Sequence, residues 1–272
     1  MPDRRAARMP IPSQRGSDEY WRKVLQGEVR GLRQLRRLNR LLPGKERCKS
    51  CHVPLSGLGA QVMRVVGRRP YEKNPRFCNW CMRAFQVRPG GAEIELSMVF
   101  ADVRGSSALA KTMTAAQFGQ LMNRFYSVAT GTLVRTDAFI DKLVGDEVIG
   151  LYIPGYAGPD HADKAVRAAQ ELLSALGYGK PEGPWLPAGI GVHTGLAYVG
   201  TVQGTEGTVN DVTALGDTVN TAARLVSLAG SGEVLISEET FTAARMNALD
   251  LPRRTVQLKG KGEPFGVRVL GT

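Results

Sequence analysis

Two strand-like segments, Phe139–Val144 and Glu147–Tyr152, are separated by nothing but Gly145-Asp146. A two-residue connection with glycine first reads as a tight hairpin, and a tight hairpin forces its strands to pair antiparallel. That turn excludes an all-parallel, doubly wound sheet, whose strands need long crossovers. The flanking pattern agrees. Glu95–Asp102 reads as a strand, Thr114–Arg135 as a helix, and Ala162–Leu176 as a second helix with Val166, Ala169 and Leu173 on one face. Pro187–His193 and Ala197–Val202 read as strands joined at Thr194-Gly195, with a flexible loop at Gly204–Gly207 and a helix over Asp217–Ala229. Val234–Ser237, Thr255–Leu258 and Phe265–Leu270 complete the strands. Strands and helices alternating around hairpins predict an α+β fold with a mixed or antiparallel sheet.

Charge divides the chain. Of 272 residues, the first 90 carry 21 Lys and Arg against 6 Asp and Glu, while residues 91–272 carry 15 against 19. The formal net charge of +11 therefore belongs to the N-terminal third. A hydrophobic fraction of 43% with 22% charged residues excludes wholesale disorder. Apolar runs such as Ser97–Ala101 fall far short of the roughly 20 residues that span a bilayer. The first twenty residues hold four arginines and no apolar segment, so no secretory signal is read there, and the expected setting is cytoplasmic.

Pro2, Pro10, Pro12 and Gly16 among arginines predict a disordered basic arm over residues 1–17. An amphipathic helix is expected over residues 18–43. Asp18 caps it, Leu25, Val29, Leu32, Leu35, Leu38 and Leu42 recur at steps of three and four, and Pro43-Gly44 ends it. Its other face carries Arg22, Lys23, Arg30, Arg33, Arg37 and Arg40. That face reads first as a solvated surface on a helix packed against its own protein or a dimer mate. It reads second as a contact for nucleic acid or an anionic membrane.

All four cysteines lie in residues 44–90, as Cys48-Lys-Ser-Cys51 and Cys78-Asn-Trp-Cys81 with 26 residues between the pairs. A two-residue gap lets both thiolates of a knuckle reach one ion, and two knuckles complete a tetrahedral set. One structural zinc ion is the expected occupant. An iron–sulfur cluster takes the same ligands, and spacing does not separate the two. Free or redox-active cysteines are the plain alternative, and His52 is a surface histidine or a substitute ligand. Arg88–Gly91 reads as a linker to the second region.

Three segments of that region carry chemistry. In Val99–Ser107 an apolar strand delivers Asp102 into a Gly-Ser turn, where a carboxylate beside helix-opening N–H groups suits a divalent metal with phosphate oxygens on it. In Lys142–Asp146 the hairpin tip brings Asp146 beside that strand, so two carboxylates can share magnesium. In Thr213–Arg224, Asn220 and Arg224 are four apart on one helical face, and Asp217 reads as the helix cap. Taken singly these are a turn residue, hairpin chemistry and a solvated face. Their combination and order are what single them out.

Together they resemble the class III nucleotidyl cyclase catalytic domain over about residues 93–270. The resemblance rests on Phe100-Ala101-Asp102 with Gly105, on Lys142 with Gly145-Asp146, on Thr213, Gly216, Val219-Asn220, Ala222 and Arg224, and on the closing Leu258–Gly262. It implies a ferredoxin-like α+β domain working as a head-to-tail homodimer with active sites at the interface. It further implies that Asp102, Asp146 and the Val103 carbonyl hold two Mg²⁺ or Mn²⁺ ions. Asn220 then orients the ribose, Arg224 stabilises charge at the α-phosphate, and Lys259 meets the terminal phosphates.

Lys142 and Thr213 are the implied readers of the base. An ammonium suits adenine N1 and a hydroxyl oxygen can accept from the 6-amino group, whereas guanylate cyclases of this family place an acid at the Lys142 position. ATP is the expected substrate and cyclic AMP the product. Thr213 stands where many adenylyl cyclases have aspartate, and a hydroxyl is a less committed acceptor, which predicts looser selectivity. Ser106-Ser107 stands where many members have Phe-Thr. Two other readings remain: a cyclase of another nucleotide, and a non-catalytic nucleotide-sensing scaffold whose basic zinc module binds nucleic acid or a protein. The paired Asp102 and Asp146 argue against the scaffold.

Overall fold

A computed structural model describes residues 15–87, 89–203, 210–246 and 251–271. The expected basic arm lies outside these residues except for its last three, which open the first helix. The loop expected at Gly204–Gly207 also lies outside the described residues.

The single helix expected over residues 18–43 is two helices, α1 (Arg15–Leu25) and α2 (Arg30–Arg40). Gly27 breaks it at φ +76°, where a Cβ would lie 3.2 Å from the Gly155 carbonyl oxygen. The leucine periodicity runs through this break because both helices use it. Trp21, Val24 and Leu25 are buried, whereas Leu38 is exposed. Asp18 sits in the first turn of α1 and does not cap it.

Helices α3 (Gly57–Val65) and α4 (Asn79–Gln86) follow among the cysteines. Strand β1 (Gly91–Val103) begins directly at the expected linker's last residue. Then come α5 (Ser106–Thr112), α6 (Ala115–Arg135), the hairpin β2 (Phe139–Val144) and β3 (Glu147–Tyr152), the short α7 (Pro154–Ala157) and α8 (His161–Leu176). Thr114 caps α6 through a reciprocal box with Gln117. The chain closes with β4 (Ala188–Gln203), β5 (Asn210–Leu215), α9 (Asp217–Leu228), β6 (Val234–Ser237), α10 (Glu238–Ala243), β7 (Arg253–Val256) and β8 (Phe265–Leu270).

The sheet runs β2-β3-β1-β4-β6-β8-β7, with β5 pairing the far part of β4. Among the described residues only β4 and β6 pair parallel, so the sheet is mixed and the fold α+β. The sheet separates two cores. Along β1, Val99, Ala101 and Val103 join Phe125, Leu133 and Leu172 of α6 and α8 on one face. Ile94, Leu96, Met98 and Phe100 join Trp21, Phe77, Met82, three of the cysteines and Val226 of α9 on the other. Alternation with period two is therefore present, yet both faces are apolar, which is why β1 reads as a continuous hydrophobic run.

One expected turn is absent. Thr194-Gly195 lies inside the unbroken β4, which pairs with β1 along its whole length from Ala188 to Gly200. Gly195 serves close approach instead, since a Cβ there would lie 3.0 Å from the methyl of Thr218 in α9. Among the described residues no helix is long and apolar enough to cross a membrane.

The seat of α9 on β4 is equally tight at Gly191, where a Cβ would come within 2.6 Å of the Val226 amide nitrogen. Gly191→Val is expected to lift α9 from the sheet and cost about 1–3 kcal/mol, the usual penalty of overpacking. Denaturant unfolding followed by circular dichroism measures it, and an unchanged midpoint would refute this packing.

Candidate active site and cysteine centre

Asp102 lies on β1 directly opposite Glu147 of β3. The Val103 N–H donates to the Asp146 carbonyl at 3.2 Å, holding the hairpin tip against the end of β1. Gly145 takes φ +61°, as the glycine of such a turn must, and the Tyr126 hydroxyl from α6 donates to its carbonyl. The structure thus brings Asp102, Val103 and Asp146 into one half-buried corner. Glu147 adds a carboxylate there that the sequence reading missed, its pKa pushed up by burial and then by the charge of Asp146. Arg104 also belongs to the corner. Its guanidinium pairs with Asp102, and its Nη1 lies 3.5 Å from the Ser227 carbonyl of α9. Burial lowers the Arg104 pKa, with Asp146 and Glu147 opposing. Carboxylates in a partly desolvated corner are oxygen ligands of the kind a hard divalent cation takes.

Lys142 and Thr213 lie on neighbouring β2 and β5. A bulge between Ile140 and Lys142 inserts Asp141 into β2, and this acid was not singled out from the sequence. Asp141 is 2% exposed and Thr213 1%. The Thr213 hydroxyl donates to Asp141 Oδ2 at 3.1 Å, while Oδ1 finds no hydrogen-bond partner among the described residues. Burial raises the Asp141 pKa to about 6 against the opposing hydrogen bond from Thr213 and the charge of Lys142. An acid in the otherwise apolar run Phe139–Val144, next to a lysine, was the available signal.

Asn220 is exposed on α9 and Arg224 half-buried one turn later. Arg224 reaches the loop of exposed Lys259, since a Cβ on Gly260 would lie 3.5 Å from its Nη2. Lys261 ties the same loop to Asp217 at 3.1 Å. Asp217 is the first residue of α9 and not its cap, which is Gly216. The structure therefore shows two groups of candidate residues, the carboxylate corner and the α9 face with its loop. Among the described residues no hydrogen bond or ion pair joins Asp102 or Asp146 to Asn220 or Arg224.

The cysteines form a second centre. The four Sγ atoms of Cys48, Cys51, Cys78 and Cys81 all lie within 4.8 Å of one another, with Cys51 and Cys78 3.7 Å apart. A Zn–S length of about 2.3 Å puts tetrahedral thiolates about 3.8 Å apart, so the set fits one ion. The Cys78 N–H points at the Cys48 sulfur at 3.2 Å. Sulfur–sulfur hydrogen bonding holds the Cys48 and Cys81 thiols above their ordinary pKa and draws Cys51 and Cys78 below it. His52 stays outside the set, its Nδ1 accepting from Arg40, with burial and surrounding cations lowering its pKa to about 4.

This centre is fastened to the strands that carry the first site. Asn74, 1% exposed, donates its amide to the Ile140 carbonyl at 3.0 Å and accepts the Ile140 N–H at 2.6 Å. It thereby acts as a one-residue partner for the edge strand β2, next to the bulge at Asp141. Lys73 pairs with Asp211 of β5 at 2.7 Å, and Lys49 and Arg76 pair with Asp137 just before β2.

The family model of the adenylate and guanylate cyclase catalytic domain matches residues 92–270. The chain belongs to this family. It is 32% identical over 179 residues to the uncharacterized protein Rv1318c of Mycobacterium tuberculosis, a match that takes in 64% of this chain and 32% of that protein. The chain thus spans about a third of the length of such relatives. Among solved structures it is similar to the guanylyl cyclase Cya2, with TM-score 0.59, 26% identity, and 66% of this chain and 93% of that one covered. It is similar also to the adenylyl cyclase CyaB from P. aeruginosa, with TM-score 0.57, 27% identity, and 67% and 96% covered. A guanylyl and an adenylyl cyclase resemble it almost equally, so overall likeness does not choose the base.

Asn74→Ala is expected to strand the Ile140 amide and carbonyl and cost about 1–3 kcal/mol. Chemical denaturation tests this, and a loss near zero would show that water replaces the side chain. Elemental analysis is expected to find one thiolate-bound metal per chain, and a strong chelator to lower Tm, because three of the ligands lie in a core shared with β1.

Proposed function

We propose that the chain is an adenylate cyclase, converting ATP to 3′,5′-cyclic AMP and pyrophosphate at sites shared between two copies. The observation that carries the reading is the Val103–Asp146 hydrogen bond, which holds the hairpin tip bearing Asp146 against the end of the strand bearing Asp102. Asp102 and Asp146, with the Val103 carbonyl, are the proposed holders of two Mg²⁺ or Mn²⁺ ions. Bound there, such ions lower the pKa of the ribose 3′-hydroxyl and neutralise charge on the triphosphate. The hydroxyl oxygen attacks the α-phosphorus in line, its proton leaves, and the bond to the pyrophosphate oxygen breaks.

The chain's own side chains do the positioning. Asn220 orients the ribose, and Arg224 stabilises the charge that develops at the α-phosphate. Lys259, exposed on its loop, gives the departing pyrophosphate a compact cation. Lys142 donates to adenine N1, and Thr213 accepts from the 6-amino group. In this reading a homodimer forms and each copy completes the other's site, in keeping with the lack of any hydrogen bond or ion pair between Asp102 or Asp146 and Asn220 or Arg224 among the described residues. The cysteine centre takes zinc in this reading. Its sulfurs are spaced for a single ion, whereas a cluster with its own sulfides spreads them further.

The test is product analysis by mass spectrometry with ATP, GTP, CTP and UTP in Mg²⁺ or Mn²⁺. Cyclic AMP is expected, with a loss of at least about 100-fold in Asp102→Ala, as removal of a catalytic cation's several kcal/mol requires. Asp102→Ala and Arg224→Ala are each expected to be inactive alone and to regain activity when mixed, since one intact site forms between them. A folded wild type that yields no product, or a mixture that stays silent, would overturn the reading.

A further inference from the structure

Thr213 carries one proton and two lone pairs, so an isolated threonine can serve adenine's 6-amino donor or guanine's O6 acceptor equally well. In this chain it is not isolated. Its hydroxyl donates to Asp141 Oδ2 at 3.1 Å inside a site where Thr213 is 1% exposed and Asp141 2%. With the proton committed to the carboxylate, only lone pairs remain for the base. An amino group is accepted, and a carbonyl oxygen meets lone pairs without a hydrogen between them.

The placement of Asp141 has no evident structural benefit. Its Oδ1 is buried without a hydrogen-bond partner among the described residues, a costly state for a carboxylate. It occupies the bulge position of β2 next to Lys142, and Asn74 grips the backbone on its other side through Ile140. The charged groups that bear on it are Lys142 from its own strand, Lys73 from the cysteine-bearing segment and Asp211 from β5. The two lysines favour its ionised form and Asp211 opposes it. A buried, half-satisfied carboxylate whose one bonding partner is a base-reading hydroxyl is the pattern of a group kept for function.

We infer that Asp141 is a specificity-determining positioning residue, which locks the Thr213 hydroxyl as an acceptor and so commits the site to adenine. The inference rests on the proposed roles of Lys142 and Thr213. On this inference the looser selectivity expected of Thr213 alone does not arise, because the commitment a hydroxyl lacks is supplied by a neighbour 72 residues away in the sequence.

Burial raises the Asp141 pKa to about 6, which gives the lock a pH dependence. Above that value the carboxylate accepts from Thr213. Below it the protonated carboxyl can itself donate, and the Thr213 proton is freed for guanine O6. Preference for ATP is therefore present above about pH 6 and falls as the pH drops through it. The stability linkage spans the interval from the unfolded value up to about 6 and has the opposite consequence. A raised carboxyl pKa means the native state binds the proton more tightly than the unfolded chain. Stability from this group is full below the unfolded value and lost as pH rises through about 6.

The experiment compares ATP with GTP by the ratio of kcat/KM and, independently of turnover, by the ratio of Kd for 3′-deoxy-ATP and 3′-deoxy-GTP, which lack the attacking hydroxyl. Full-length wild type, Asp141→Leu, Thr213→Val and the double variant are measured at pH 5 and pH 8. Asp141→Leu, which has no acceptor for the Thr213 hydroxyl, is expected to cut the ATP preference about tenfold at pH 8, the equivalent of one hydrogen bond. It is also expected to abolish the pH dependence of the ratio while raising Tm at pH 8. In the Thr213→Val background it is expected to change the ratio no further. Protonation of the triphosphate affects both nucleotides alike and cancels. An Asp141→Leu ratio equal to wild type, or one that moves as much without the Thr213 hydroxyl, would overturn the lock while leaving the adenylate reading intact. A wild type that prefers GTP, or binds neither analogue, would overturn both.

Discussion

Strand β1 is the constraint on which the rest depends. It is hydrogen-bonded on both sides, to β3 from Ser97 to Asp102 and to β4 from Gly91 to Val103, and it is buried on both faces. A strand so enclosed has one register, because slipping by a single residue exchanges the partners of both cores at once. That fixed register is what places Asp102 opposite Glu147 and carries Val103 to the hairpin tip. The placement of Asp102 and Val103 at the corner thus depends on apolar burial some distance away.

The two faces of β1 explain why the chain is not a catalytic domain with a detached appendage. Phe77 of the cysteine-bearing segment packs edge-on against Phe139 of β2 and Tyr156 of α7, with ring centroids 5.6 and 4.9 Å apart. Cys48, Cys51 and Cys78 lie in the same cluster as Leu96, Met98 and Phe100. A metal held by those thiolates therefore organises side chains that the sheet also needs. Loading the centre and fixing β2 are parts of a single folding problem.

Much of this was legible in the sequence, for identifiable reasons. The hairpin at Gly145-Asp146 appears where its turn chemistry demands, and β2, β3, β6 and β8 fall where their patterns do. The four cysteines meet because paired knuckles leave them few alternatives. What escaped was set by tertiary contact. Gly195 carries a turn-like signature, yet its lack of a side chain makes room for Thr218 inside a continuous strand. Gly27 splits a helix whose leucine spacing runs on undisturbed. Asn74 and Lys73 have no local pattern, and Asp141 shows only as an acid in an apolar run, because each acquires its meaning from a partner far along the chain.

The charge asymmetry shows the same limit more sharply. An N-terminal excess of cations beside a C-terminal excess of acids invites the idea of two regions with unrelated partners. Part of that imbalance is complementarity within the chain. Lys49, Arg76 and Lys164 converge on Asp137, and although burial pushes that carboxyl up, the lysine hydrogen bonds and charges hold it below its ordinary pKa. Lys73 meets Asp211 two residues before Thr213. Because Asp137 is 14% exposed, removing its cations would leave a half-desolvated charge beside the start of β2. The cations nearest the catalytic sheet are thus already engaged by it. A search for an external anionic partner belongs with the exposed Arg33 and Arg37 of α2, which make no ion pair among the described residues, and not with the net charge of the N-terminal third as a whole.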